Sequence, residues 1–153
     1  MLVIHWSKQN RTQQILSNGI RPSKRKRSGY IRGVYVYPFS KNRTLSGNWK
    51  RNLKSWDHVR GNFNGFVFRL EKEDFPLYAG YWFFNRSNPE DTKVNHLKEL
   101  EEKYGGFFSG DIVHNTIDGI PINWDDFEII IPHKITKDRI MKVIRDREPR
   151  KEE

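Results

Sequence analysis

The chain has no cysteine. Disulfides, thiolate nucleophiles and cysteine-ligated metal sites are excluded, while the redox state of its compartment is left open. Long apolar runs are missing too, since no stretch approaches the roughly 20 residues that a bilayer-spanning helix needs. A strand-like run already occupies position 5, which leaves no room for a cleavable signal peptide. A cytoplasmic protein without a membrane partner is therefore expected. The histidines, at 5, 58, 96, 114 and 133, show no metal-ligand spacing, so a zinc site is not expected. GYIRG (29–33) and SGNWKR (46–51) lack the pattern of a Walker loop, and no GxSxG elbow is present.

What the chain has in quantity is aromatic residues and positive charge. Its 153 residues suffice for one domain with a sizeable core. That domain is expected over 1–146, followed by a polar, disordered tail at 147–153. An aromatic content of 14% favours a sheet-rich interior, and Phe66, Phe68, Trp82, Phe83, Phe84 and Phe127 all lie in strand-like runs. The net charge of +9 is uneven, with most of the excess before Asn64. RPSKRKRSGYIRG (21–33) holds six cations and no acid, and a second basic run follows at 41–54. Such runs can draw phosphate-bearing partners by counterion release, or simply keep a loop solvated. Charge alone leaves both open.

The apolar pattern predicts strands at 2–6, 33–38, 64–70, 77–84 and 127–132, with a last strand or helix near 140–146. Ser7 is a candidate cap for a helix over 8–18, and Gly19 suits the left-handed residue after its end. Leu45, Trp49 and Leu53 recur four apart after a capping candidate at Ser40. Val94, Leu97, Leu100 and Tyr104 mark a helix from Pro89 to Tyr104, ended by Gly105 and Gly106. GFFSGDIV (106–113) reads as strand and turn, DGIP (118–121) as a turn, and KITKDRI as one helical turn. An α+β domain with six or seven strands and two or three helices follows.

Three of these strands carry an isolated polar or aromatic group: His5 in LVIHWS, Tyr35 in GVYVYP and Glu128 in DFEIIIP. Together they offer a hydrogen-bonding anchor, a stacking surface and a carboxylate. Each also has an ordinary reading. His5 can be a satisfied structural histidine, Ser7 a helix cap, and Tyr35 plain strand packing beside Tyr37. Glu128 is the most pointed, because a carboxylate opening a run of three isoleucines is costly to bury unpaired. It either faces solvent or serves a site. The aromatic GYWFFNRSN (80–88) reads best as a core strand rather than an acceptor surface.

In this order and context the trio resembles the His-Tyr-Glu signature of the NAD-dependent ADP-ribosyltransferases of the diphtheria-toxin and poly-ADP-ribose-polymerase type. His5-Trp6-Ser7 is similar to the family's His-x-Ser/Thr, and Asn18-Gly19-Ile20 to its "GI" after the first helix. Gly33-Val34-Tyr35 is similar to its second strand, with Ser40 at the following helix start. Glu128-Ile129-Ile130-Ile131-Pro132, then Ile135, is similar to its catalytic strand. The resemblance covers about residues 2–145.

It implies a split β-sandwich transferase core with a few flanking helices, and NAD as co-substrate. His5 would bond the adenosine ribose, and Ser7 the nicotinamide ribose side, with Trp6, Gly33 and Ser40 in the same pocket. Tyr35 would stack on nicotinamide, and Glu128 would hold the ribose 2′-hydroxyl and stabilise an oxocarbenium-like transition state. Lys24, Arg25, Lys26, Arg27, Arg32, Arg43, Lys50 and Arg51 would meet a DNA, RNA or protein acceptor, as in DarT-like relatives. A toxin or defence effector, with an antitoxin or regulator as a further partner, is the expected setting. The match departs from the family at Trp6, where a small residue is usual, and Asp126 stands where arginine-modifying members select their acceptor. Two alternatives remain: a basic nucleic-acid-binding module without NAD chemistry, and an NAD-consuming RNA 2′-phosphotransferase.

Overall fold

The strongest pattern in the chain, apolar residues in short β-prone runs, becomes one antiparallel sheet. The computed structural model describes residues 1–23, 31–39, 63–81, 85, 87–108, 116–117, 120–121 and 127–146. Seven strands make the sheet: β1 (Leu2–Lys8), β2 (Val34–Pro38), β3 (Phe63–Arg69), β4 (Leu77–Tyr81), β5 (Lys93–Val94), β8 (Phe127–Ile131) and β9 (Lys142–Asp146). Their spatial order is β5-β4-β8-β2-β1-β3-β9, with every pair antiparallel. A separate two-stranded ribbon joins β6 (Thr116–Ile117) to β7 (Ile120–Pro121). The class is α+β, as expected.

The sheet is divided at β2. Its first half, Val34 to Val36, pairs with Ile131 to Ile129 of β8. Its second half, Tyr37 and Pro38, pairs with Ile4 and Val3 of β1. The strand therefore belongs to one half of the sheet at its start and to the other at its end.

Two apolar clusters hold the halves. Val3, Val34, Val36, Phe66, Phe68, Leu77, Ala79, Ile129 and Ile131 form the larger, with Ile15 and Leu100 closing on it. Ile4, Trp6, Tyr37, Phe63 and Val67 form a second. Because both faces of β1 and β3 are covered, their runs are apolar almost throughout rather than alternating.

The helices differ from expectation in instructive ways. Ser7 does not cap one. β1 continues to Lys8 because β3 supplies a partner that far, and a 3₁₀ turn at Gln9–Arg11 precedes α1 (Thr12–Asn18), whose first residues receive no side-chain cap. Gly19 ends α1 with φ of 80°, as expected, but its ψ of −174° is extended rather than left-handed helical. The helix expected from Pro89 to Tyr104 is broken: α2 (Pro89–Thr92) gives way to β5, and α3 (Leu97–Phe108) runs past Gly105 and Gly106. Edge pairing of Leu77 and Tyr78 with Val94 and Lys93 overrides the helical pattern there. GFFSGDIV thus begins in a helix, and its remainder lies outside the described residues, as do the helix expected after Ser40 and the 147–153 tail. No helix among the described residues is long and apolar enough to cross a membrane.

A polar clasp ties the β3–β4 connection to the approach to β9. Asp74 is fully buried and accepts from both terminal nitrogens of Arg139, at 2.7 and 2.6 Å, while the Glu71 amide donates to it at 2.8 Å. Arg139 also donates to Arg69 O and lies over the Phe68 ring. The hydrogen bond to Asp74, against the opposing effect of burial, raises the Arg139 pKa above its usual value.

Candidate functional site

His5 and Tyr35 meet where the β1–β2 ladder gives out. The last paired residues are Ile4 and Tyr37, and beyond them His5 Nδ1 reaches Tyr35 O at 2.8 Å. A carbonyl can only accept, so Nδ1 carries the proton of this bond. Burial of the ring lowers the His5 pKa, outweighing the bond to Tyr35, and the nearby Arg11 charge lowers it further. The ring is therefore neutral near pH 7, and its Nε2 presents a lone pair. Such an atom accepts a hydrogen bond from a hydroxyl.

Tyr35 is held at both ends. Its backbone lies in the β2–β8 ladder, and its hydroxyl donates to Ile31 O at 2.6 Å. With the hydroxyl so engaged, the ring is what it offers a ligand. Gly33, two residues earlier, is needed for close approach to β8: a Cβ there would lie 2.6 Å from Ile130 Cγ2 and 2.8 Å from Ile131 O.

Glu128 is buried, at 2% exposure, so it does not face solvent. Antiparallel partners share a face, and the register places Gly80 opposite Glu128, with Tyr78 and Tyr35 flanking Ile130. Tyr35 and Glu128 are thus diagonal neighbours on one face, a relation that spans about 7 Å in a regular ladder. The apolar Val36–Ile129–Ala79 row occupies the other face. Tyr35 and Glu128 thus share a face on neighbouring strands, and His5 joins them through the backbone oxygen of Tyr35.

The remaining candidates separate. Trp6 is in the second apolar cluster, packed with Ile4, Tyr37, Phe63 and Val67. Ser7 is buried on β1 opposite Asn64 of β3. Arg32 is exposed just before Gly33. Ser40, Lys24, Arg25, Lys26, Arg27, Arg43, Lys50 and Arg51 lie outside the described residues.

Two neighbours of the trio were not anticipated. Arg11 acts on His5 from the 3₁₀ turn six residues on. Asn85, fully buried, donates from Nδ2 to the backbone oxygens of Gly80 and Glu128. An amide directly after the aromatic run Tyr81–Phe84, where burial is expected, was the signal available for it.

The arrangement offers a neutral imidazole acceptor, an aromatic ring fixed by its hydroxyl, and a buried carboxylate. No family model matches the chain, and no curated protein matches it.

Proposed function

We propose that the protein is an NAD-dependent mono-ADP-ribosyltransferase, built on the split-sheet core that its His-Tyr-Glu order suggests, and acting on a macromolecular acceptor. The observation that carries this reading is the burial of Glu128 on the face it shares with Tyr35, beside the His5–Tyr35 junction.

In this reading each residue has a task suited to its state. His5 Nε2 accepts from a ribose hydroxyl, as a neutral imidazole can. The Tyr35 ring stacks on nicotinamide. The Glu128 carboxylate accepts from the 2′-hydroxyl of the nicotinamide ribose and stabilises the positive charge that develops there as the bond to nicotinamide breaks. The bonding pair leaves with the nicotinamide nitrogen, and a nucleophile of the acceptor forms the new bond to ribose while losing its proton. A preorganised carboxylate in a poorly hydrated site is effective because the opposing charge exists only in the transition state.

The basic runs of the sequence, RPSKRKRSGYIRG (21–33) and 41–54, favour a nucleic acid as the acceptor over a protein. The test is nicotinamide release from NAD by the purified protein, alone and with DNA, RNA or cell lysate, with Glu128→Ala in parallel. Glu128-dependent release is expected, strongest with the true acceptor. Salt-sensitive nucleic-acid binding with no release under any condition would replace the proposal with a non-catalytic binding module.

A further inference from the structure

The segment after β4 brings Asn85 against the strand pair that carries Glu128. Its Nδ2 donates to both carbonyls of that pair, Gly80 O at 3.4 Å and Glu128 O at 3.3 Å. Since carbonyls only accept, these partners fix the orientation of the amide. Gly80 lies at the meeting point of α2 and Asn85. A Cβ on Gly80 would lie 3.2 Å from Thr92 Cγ2 and 3.5 Å from Asn85 Oδ1, so α2 and Asn85 both close onto the gap.

Glu128 has particular use for such a bridge. The β2–β8 ladder ends at Val36–Ile129, so at Glu128 the strand is paired with β4 alone. The other end of the Asn85 amide adds a second observation. Oδ1 is buried with no hydrogen-bond partner among the described residues. A buried acceptor in that state is unfavourable, a cost that an isosteric leucine would not carry. A buried amide that leaves its oxygen unpartnered while its nitrogen bridges the backbone of a buried glutamate is placed for position rather than for apolar packing.

We propose that Asn85 is a positioning residue, whose amide pins the Glu128 backbone to β4 and so fixes where the Glu128 carboxylate meets the ribose. The catalytic consequence rests on the transferase reading above; the pinning does not.

The experiment compares wild type with Asn85→Leu and Asn85→Asp, reading residue-resolved amide exchange and, separately, nicotinamide release. In Asn85→Leu, amides at 80–81 and 127–129 exchange about tenfold faster while β1 and β3 keep their protection. The melting temperature stays within about 4 °C of wild type. Turnover falls on the order of 100-fold, with the KM for NAD within about twofold. Asn85→Asp adds a readout that packing alone would not move. Its carboxylate cannot donate to either carbonyl, but its protonated form can donate to one of them, so its kcat rises relative to that of Asn85→Leu as pH is lowered. Unchanged exchange around Glu128 in Asn85→Leu overturns the pinning. Faster exchange with unchanged kcat overturns the positioning role. A wild type that releases no nicotinamide overturns the transferase reading instead, and the exchange data then decide the pinning on their own.

Discussion

The two halves of the sheet that meet at β2 are built differently. On the β1 side, β1 and β3 share seven paired residues and β3 and β9 share five. On the β8 side the ladders are shorter: three pairs for β2–β8, four for β4–β8 and two for β4–β5. The β1 half is covered by apolar clusters on both faces, and its buried Asn64 is spent on α1, donating to Thr12 Oγ1 at 2.7 Å. The β8 half has the larger apolar cluster on one face and, on the other, buries Ile130 and Glu128, with Asn85 and Thr92 around the Gly80–Glu128 pair. Strand pairing is more extensive in one half, and the proposed site sits in the other, where the ladders are shorter and side chains bridge backbone groups. His5, at the seam, is the clearest case: its ring continues a connection that the β1–β2 backbones have abandoned.

That division can be broken from either side. The largest effect belongs to the scaffold half, where Phe66→Ala empties a fully buried ring site and should cost about 3–5 kcal/mol of stability in urea unfolding. Turnover per folded molecule should hold, because Phe66 has no part in the proposed site. Next comes the clasp. Asp74→Asn withdraws the charged partner of Arg139 and should cost about 2 kcal/mol. Adding Arg139→Met should return part of that loss, which a double-mutant cycle measures.

A smaller effect tests the seam through pH. The folded-state pKa of His5 is lowered, so the unfolded chain binds its proton more readily. The stability contributed by the neutral ring is complete above its ordinary pKa of 6.5 and is lost as pH falls below that value toward the folded pKa. Urea unfolding at stepped pH should show this slope in wild type and a shallower one in His5→Gln. The smallest effect is expected far from both cores. Lys98 and Glu102 form an exposed i,i+4 pair at 3.9 Å, so Lys98→Gln should change stability by no more than about 0.5 kcal/mol.

Much of the scaffold was legible because its residues agree with one another locally. LVIHW, NGFVFRL and FEIII are apolar, β-prone and bounded by turn or proline signals, and all became strands within a residue or two of expectation. The misses occur where a distant partner outvoted a local signal. Ser7 looked like a cap, but Asn64 opposite it kept the strand going. Val94 fitted a helical stripe until Leu77 claimed it for an edge. Of the candidate trio, the register puts Tyr35 and Glu128 on one face, and His5 bonds the Tyr35 backbone. Trp6, a pocket residue only through the His-x-Ser resemblance, packs in the second apolar cluster. Asn85 could not be placed from sequence, since its importance lies in bridging two backbone oxygens 43 and 5 residues away.

The most direct test of the central claim separates binding from chemistry at one atom group. Glu128→Gln keeps the shape of the side chain and removes its charge. NAD affinity by calorimetry and nicotinamide release by the same protein should diverge: affinity within about tenfold of wild type, turnover lower by 100- to 1000-fold on the order-of-magnitude scale of lost transition-state stabilisation. Equal turnover in Glu128→Gln and wild type would contradict the account, because the carboxylate would then have no part in breaking the bond.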